Sequence, residues 1–311
     1  MIAYYLADLV LLSLLIYLFG LNNGAVFEGG LAGGAGFNYR LAAVTVGLGL
    51  FLGTLIQGAY TARYARTLGV LGGFSGALLL VVQIFLFYVF TAADLPLSIT
   101  QSLVGGWLAI LVLQGVRHIS ESVIWLFFWW VVSPFITIAF TSILYKGLRR
   151  LLFRVNIATM SLIIRVSAIA TIFYTSFVLG ANNVGFIAGA YSLGYLEIGL
   201  LAVFAALGAL RAARMSKAVG EDLIVVGPLG IISAVIGGTT VLLFLTYLGL
   251  PASLTTVTLG GLIGVGLSSK PRVFRSDYLR WVILSWALAF ILGFAVVYIL
   301  VVILRGIAFL P

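Results

Sequence analysis

The chain has 311 residues, 63% of them hydrophobic and only 8% charged, with a mean hydropathy of +1.25 and a formal net charge of +9. That composition excludes a soluble core with a polar coat and points to an all-α polytopic membrane protein, with no soluble domain of any size between the apolar runs. Cysteine is absent, which removes disulfides, thiolate metal sites and thiol nucleophiles.

Apolar runs read against Gly, Pro and charged punctuation predict about ten helical spans. The first, 2–18, opens with MIAYYLADLV, which lacks a basic n-region and a small-residue cleavage site and so reads as a membrane helix, not a removable signal. It runs into FGLNNGAVFEGG (19–30), where Asn22, Asn23 and Glu28 interrupt apolar sequence. Spans 41–60 and 69–92 follow, then a short, interrupted one at 97–115 that carries Ser98, Thr100 and Gln101 behind Pro96. The span 122–145 contains WLFFWW (125–130), which reads as an interfacial aromatic belt. The second half begins with 157–178 and runs into LGANNVGFIAGA (179–190), with Asn182 and Asn183. Spans 191–210 and 223–248 precede a second short one, 252–267, carrying Ser253, Thr255 and Thr256 behind Pro251, and 281–304 completes the set.

The basic residues fall between spans, so no nucleic-acid partner is expected and the charge instead sets orientation. With the N-terminus outside, the inner loops hold Arg40, Lys146, Arg149, Arg150, Arg154, Arg211, Arg214, Lys217, Lys270, Arg272, Arg275 and Arg280, twelve of the 17 basic residues. The outer side holds Arg63, Arg66, Arg117 and Arg305, and this asymmetry predicts both termini outside a cell membrane. Arg165, two turns into its span, is expected to snorkel to the inner surface, and His118 beside Arg117 to be a solvated loop residue.

Five spans per half is an odd number, so two homologous halves, 1–150 and 151–311, would be inverted relative to one another. The sequence repeats accordingly. Gly20, Asn22, Asn23 and Gly29 match Gly180, Asn182, Asn183 and Gly189 at an offset of 160. Pro96, Ser98, Thr100, Gly105 and Gly106 match Pro251, Ser253, Thr255, Gly260 and Gly261 at an offset of 155. Inverted repeats with Gly- and Pro-interrupted segments at corresponding places are the pattern of a secondary transporter with a central site. Half-helix starts offer free N–H groups and a positive dipole end, which suit an anion without a charged side chain. The Ser and Thr residues behind each proline have the character of helix starts, so their hydroxyls are candidates to converge on one ligand.

These motifs resemble those of the inorganic phosphate transporter family, which carries G-A-N-D-x-x-N in each half, P-x-S-T-T-H-x-x-x-G downstream, and S-W-x-x-S-P at the end of the first half. The counterparts are GLNNGAV (20–26), PLSITQSLVG (96–105), WVVSP (130–134), TSFVLGANNVGF (175–186) and PASLTTVTLG (251–260). The resemblance covers essentially the whole chain and implies an inverted-repeat permease for phosphate or a similar tetrahedral oxyanion. It implies a substrate site lined by Asn22, Asn23, Ser98, Thr100, Gln101, Asn182, Asn183, Ser253, Thr255 and Thr256. The chain departs from the family where the signature aspartate is replaced by Asn23 and Asn183. Without those carboxylates sodium coupling of the family kind is doubtful, and a proton is the expected coupling ion, with Glu28 as its candidate carrier.

The same departure bears on the anion. Phosphate near neutral pH carries an O–H donor and profits from an acceptor, whereas sulfate wants donors alone, so Asn, Ser, Thr and Gln tilt the chemistry towards sulfate. The family resemblance favours phosphate, which is the first expectation; sulfate is the alternative, and a passive anion channel is a further one. No nucleophile–base pair or metal-ligand spacing occurs, so neither an enzyme nor a metal or cofactor site is expected. The expected partners are the anion and the lipid bilayer, with a homodimer as an allowed assembly.

Overall fold

The computed structural model describes residues 2–27, 38–92, 98–116, 120–212, 227–269 and 276–306. In chain order the helices are α1 (Ile2–Phe27), α2 (Tyr39–Leu68), α3 (Gly73–Ala92), α4 (Ile99–Leu113), α5 (Glu121–Leu152), α6 (Ile157–Leu179, continued below), α7 (Tyr195–Ala212), α8 (Pro228–Tyr247), α9 (Leu254–Ser268) and α10 (Ser276–Gly306). Eight of them are long and apolar enough to cross a membrane. The two exceptions, α4 and α9, have 15 residues each. At 1.5 Å per residue that is about 22 Å, short of the ~30 Å of bilayer hydrocarbon. These are the two short spans that the sequence predicts.

Two of the predicted boundaries that move bear on the Asn pairs. The first span was expected to stop at 18, yet α1 stays helical through Asn22 and Asn23 to Phe27. The Asn23 amide donates to the Phe19 carbonyl one turn back, at 2.9 Å, so the polar side chain is satisfied within its own helix. Likewise α6 does not stop at 178. It passes through a π-helical turn, Gly180–Val184, into Gly185–Ala190.

Helix packing recurs in matched pairs. Helix α1 lies against α7 as α6 lies against α2, and α4 lies against α10 as α9 lies against α5. The correspondence extends to single contacts. Gly20 on α1 abuts the Ala205 carbonyl on α7, and Gly180 on α6 abuts the Leu50 carbonyl on α2. Gly208 abuts the Tyr17 carbonyl, and Gly53 abuts that of Phe177. In each case a Cβ would collide with the facing backbone, so the glycines set how closely these helices approach. The positions on α1 and α6 are again 160 apart and those on α2 and α7 155 apart, the offsets of the sequence motifs. The buried interior is lined by side chains such as Leu15, Phe19, Leu50, Leu103, Trp107, Phe186 and Leu242.

Candidate functional site

The site is built around two helix starts and one irregular turn. Ser98 precedes α4 in an extended conformation (φ −77°, ψ 104°), and its hydroxyl accepts from the Gln101 N–H at 3.4 Å. Ser253 does the same before α9 (φ −86°, ψ 120°), accepting from the Thr256 N–H at 3.4 Å. Each serine thus caps its half-helix, the helix-start role read from the sequence. The chain reaches Ser253 through Gly249, whose φ of +80° lets it turn sharply after α8. The first N–H groups of both helices, with their positive dipole ends, lie inside the protein beside buried Ser98 and Ser253.

Between these starts stands the π-turn of α6. A π-turn widens the helix locally and is frequent at functional sites. Its two asparagines are both buried and take different partners. Asn182 holds the second break: its amide donates to Thr246 Oγ1 at 2.9 Å and to the Leu250 carbonyl at 3.0 Å, and its Oδ1 accepts from the Ala252 N–H at 2.8 Å. Asn183 reaches the first break, where its Oδ1 accepts from the Thr100 hydroxyl. One adjacent pair of side chains therefore ties both half-helix starts together. Thr61 on α2 steadies the turn by donating to the Ala181 carbonyl at 2.7 Å.

The bonding leaves a definite set of unfilled valences. Because Thr100 spends its proton on Asn183, its oxygen faces onward as an acceptor, and the Asn183 amide remains a donor. Gln101 Oε1 and Thr256 Oγ1 are buried and have no hydrogen-bond partner. These residues are 7% and 5% exposed and stand 155 positions apart, the third residue of α4 and of α9. A buried polar atom without a partner costs ~1–3 kcal/mol, so finding one at the same place in both half-helices marks a place where a ligand would supply the missing bond. None of the residues so assembled is charged, so what the arrangement offers a ligand is amide and hydroxyl groups and helix dipoles.

Other expected residues lie elsewhere. Asn22 and Asn23 are half-buried on α1, and the Asn23 amide bonds within that helix. Thr255 is exposed, unlike its buried counterpart Thr100. Glu28 and His118 lie outside the described residues. Arg165 is exposed on α6, away from the buried Asn pair. The sequence reading missed Thr246 and Thr61, single threonines within apolar helices. It also missed the link from Trp130 Nε1 to the Pro251 carbonyl at 2.7 Å, although WVVSP was among the motifs. Only the fold places these residues beside the breaks.

Residues 180–310 match the model of the phosphate transporter family. Over 175 residues the chain is 29% identical to a candidate phosphate permease of Methanocaldococcus jannaschii, a match covering 55% of this chain and 57% of that protein, a little over half its length. It is 25% identical to the sulfate permease CysP of Bacillus subtilis over 304 residues, 90% of this chain and 82% of that one. A solved structure described as the sodium-dependent phosphate transporter superposes with a TM-score of 0.81, at 19% identity, covering 96% and 99% of the two chains. The likeness to the phosphate transporter family is thus borne out, in sequence across the second half and in fold across the chain.

Proposed function

We propose that this multi-pass protein is a secondary permease for inorganic phosphate, working by alternating access across the cell membrane through two inverted five-helix repeats, 1–150 and 151–311. The matched contacts of Gly20 with Ala205 and Gly180 with Leu50 support the repeat, and the distribution of basic residues supports termini on the outer side. The observation that carries the substrate reading is the pair of buried, unpartnered atoms, Gln101 Oε1 and Thr256 Oγ1, at the same position of the two half-helix starts that Asn183 and Asn182 tie together. A tetrahedral oxyanion would take N–H groups of the two half-helix starts and the Asn183 amide. Phosphate would in addition donate its O–H to an acceptor such as Gln101 Oε1.

A second reading, sulfate, has its own support: the assembled residues include no carboxylate, and the relative matched over 90% of this chain is named a sulfate permease. Exchange of labelled phosphate in proteoliposomes separates the two. Unlabelled phosphate should compete better than sulfate, and Gln101→Leu should narrow that preference by removing the acceptor. Better competition by sulfate in the wild type would give the site to the second reading. Coupling to protons in place of sodium follows from the same uncharged site, since a sodium ion is best dehydrated by anionic oxygen ligands.

A further inference from the structure

Asp8 is an acidic side chain that the site above does not use. It lies two turns into α1, within a candidate membrane span, and is 7% exposed. Its Oδ1 is buried without a hydrogen-bond partner. An ionised carboxylate with a bare oxygen is costly in apolar surroundings, whereas the protonated acid loses most of that cost. Burial of this kind in a membrane span marks a functional group by default.

Among the described residues, no basic group of the helices packed against α1 is paired with Asp8. Helix α3 packs on α1 and has no titratable residue between Gly73 and Phe87. Helix α7 presents Glu197, already engaged by the Tyr5 hydroxyl at 2.5 Å, about one turn nearer the start of α1. Helix α2 ends with Arg63 and Arg66, and the Arg66 guanidinium is turned to the Leu193 carbonyl at 3.2 Å. Between α6 and α7, Tyr191 is buried and donates to the Gly76 carbonyl at 2.9 Å.

We propose that Asp8 carries the coupling proton of the anion cycle: its carboxylate takes one proton from the outer water, and the neutral acid permits the close packing of α1, α3 and the Tyr191 segment seen here. Proton binding then favours this arrangement over one in which Asp8 is hydrated and ionised, and it biases the carrier by that difference alone. The inference rests on the permease reading, and it adds a group that the paired motifs do not contain.

The test uses the full chain in proteoliposomes containing a pH-sensitive dye, with labelled phosphate as probe. Asp8→Asn should keep phosphate exchange at equal pH on both sides while losing accumulation driven by a pH gradient and the accompanying proton uptake. Asp8→Glu should retain both with its pH dependence displaced. If Asp8→Asn loses exchange as well, Asp8→Glu decides, and an unchanged pH dependence overturns the assignment. Proton-driven accumulation persisting in Asp8→Asn also overturns it. A wild type that exchanges neither phosphate nor sulfate overturns the permease reading itself.

Discussion

The two asparagines of the π-turn should respond differently to truncation. Asn182→Ala removes three hydrogen bonds at once and leaves the Leu250 carbonyl and the Ala252 N–H inside the protein without partners. Each stranded backbone group costs ~1–3 kcal/mol, so the substitution should destabilise the fold by about 2–6 kcal/mol. Asn183→Ala breaks one side-chain bond, to Thr100, and strands no backbone group. Its cost should stay within the ~1–3 kcal/mol of the one hydroxyl, that of Thr100, left without its acceptor. Heating detergent-solubilised protein and measuring the fraction that still elutes as a monodisperse species gives the order: wild type, Asn183→Ala, then Asn182→Ala well below. Transport should split the other way, with Asn183→Ala folded but weakened in its apparent affinity for phosphate. Asn182→Asp keeps an acceptor for the Ala252 N–H but sets a carboxylate against the Leu250 carbonyl, and should rank with Asn182→Ala. Equal stability of Asn182→Ala and Asn183→Ala would refute the assignment of Asn182 as the residue that holds the second break.

Two further outcomes follow. The double variant Asn23→Asp, Asn183→Asp should gain a dependence of phosphate uptake on external sodium, read by replacing sodium with choline; no gain would count against the account of those positions. Gly53→Val should block the approach of α2 to the Phe177 carbonyl and cost at least the ~1–3 kcal/mol of overpacking, with loss of folded protein after mild heating. Gly147→Ala, where a Cβ meets nothing within 4 Å, should leave the thermal profile unchanged.

Much of this architecture is written locally. The prolines followed by Ser98 and Ser253 announce the two half-helices, because a serine hydroxyl caps a helix through its own third residue, a contact that the sequence itself contains. The motif offsets of 160 and 155 likewise reappear as matched backbone contacts at glycines. What local sequence does not carry is the choice of partner at long range. Asn182 is held by Thr246 and Ala252, 64 and 70 positions away, and nothing in the motif distinguishes it from Asn183. Nor does the sequence show that α1 continues through its own Asn pair, where the Asn23 amide bonds to the Phe19 carbonyl one turn back. Asp8 draws no functional reading from the sequence, because only the folded packing shows it buried.

The most direct test of the central claim is uptake of labelled phosphate by proteoliposomes under an inward proton gradient without sodium, compared between wild type and Thr100→Val. The account predicts accumulation above the external concentration in the wild type, and a rise in the apparent KM when Thr100 can no longer bond Asn183 and present its oxygen to the anion. Wild-type uptake that only equilibrates with the external phosphate, or a Thr100→Val variant with the wild-type KM, would contradict it.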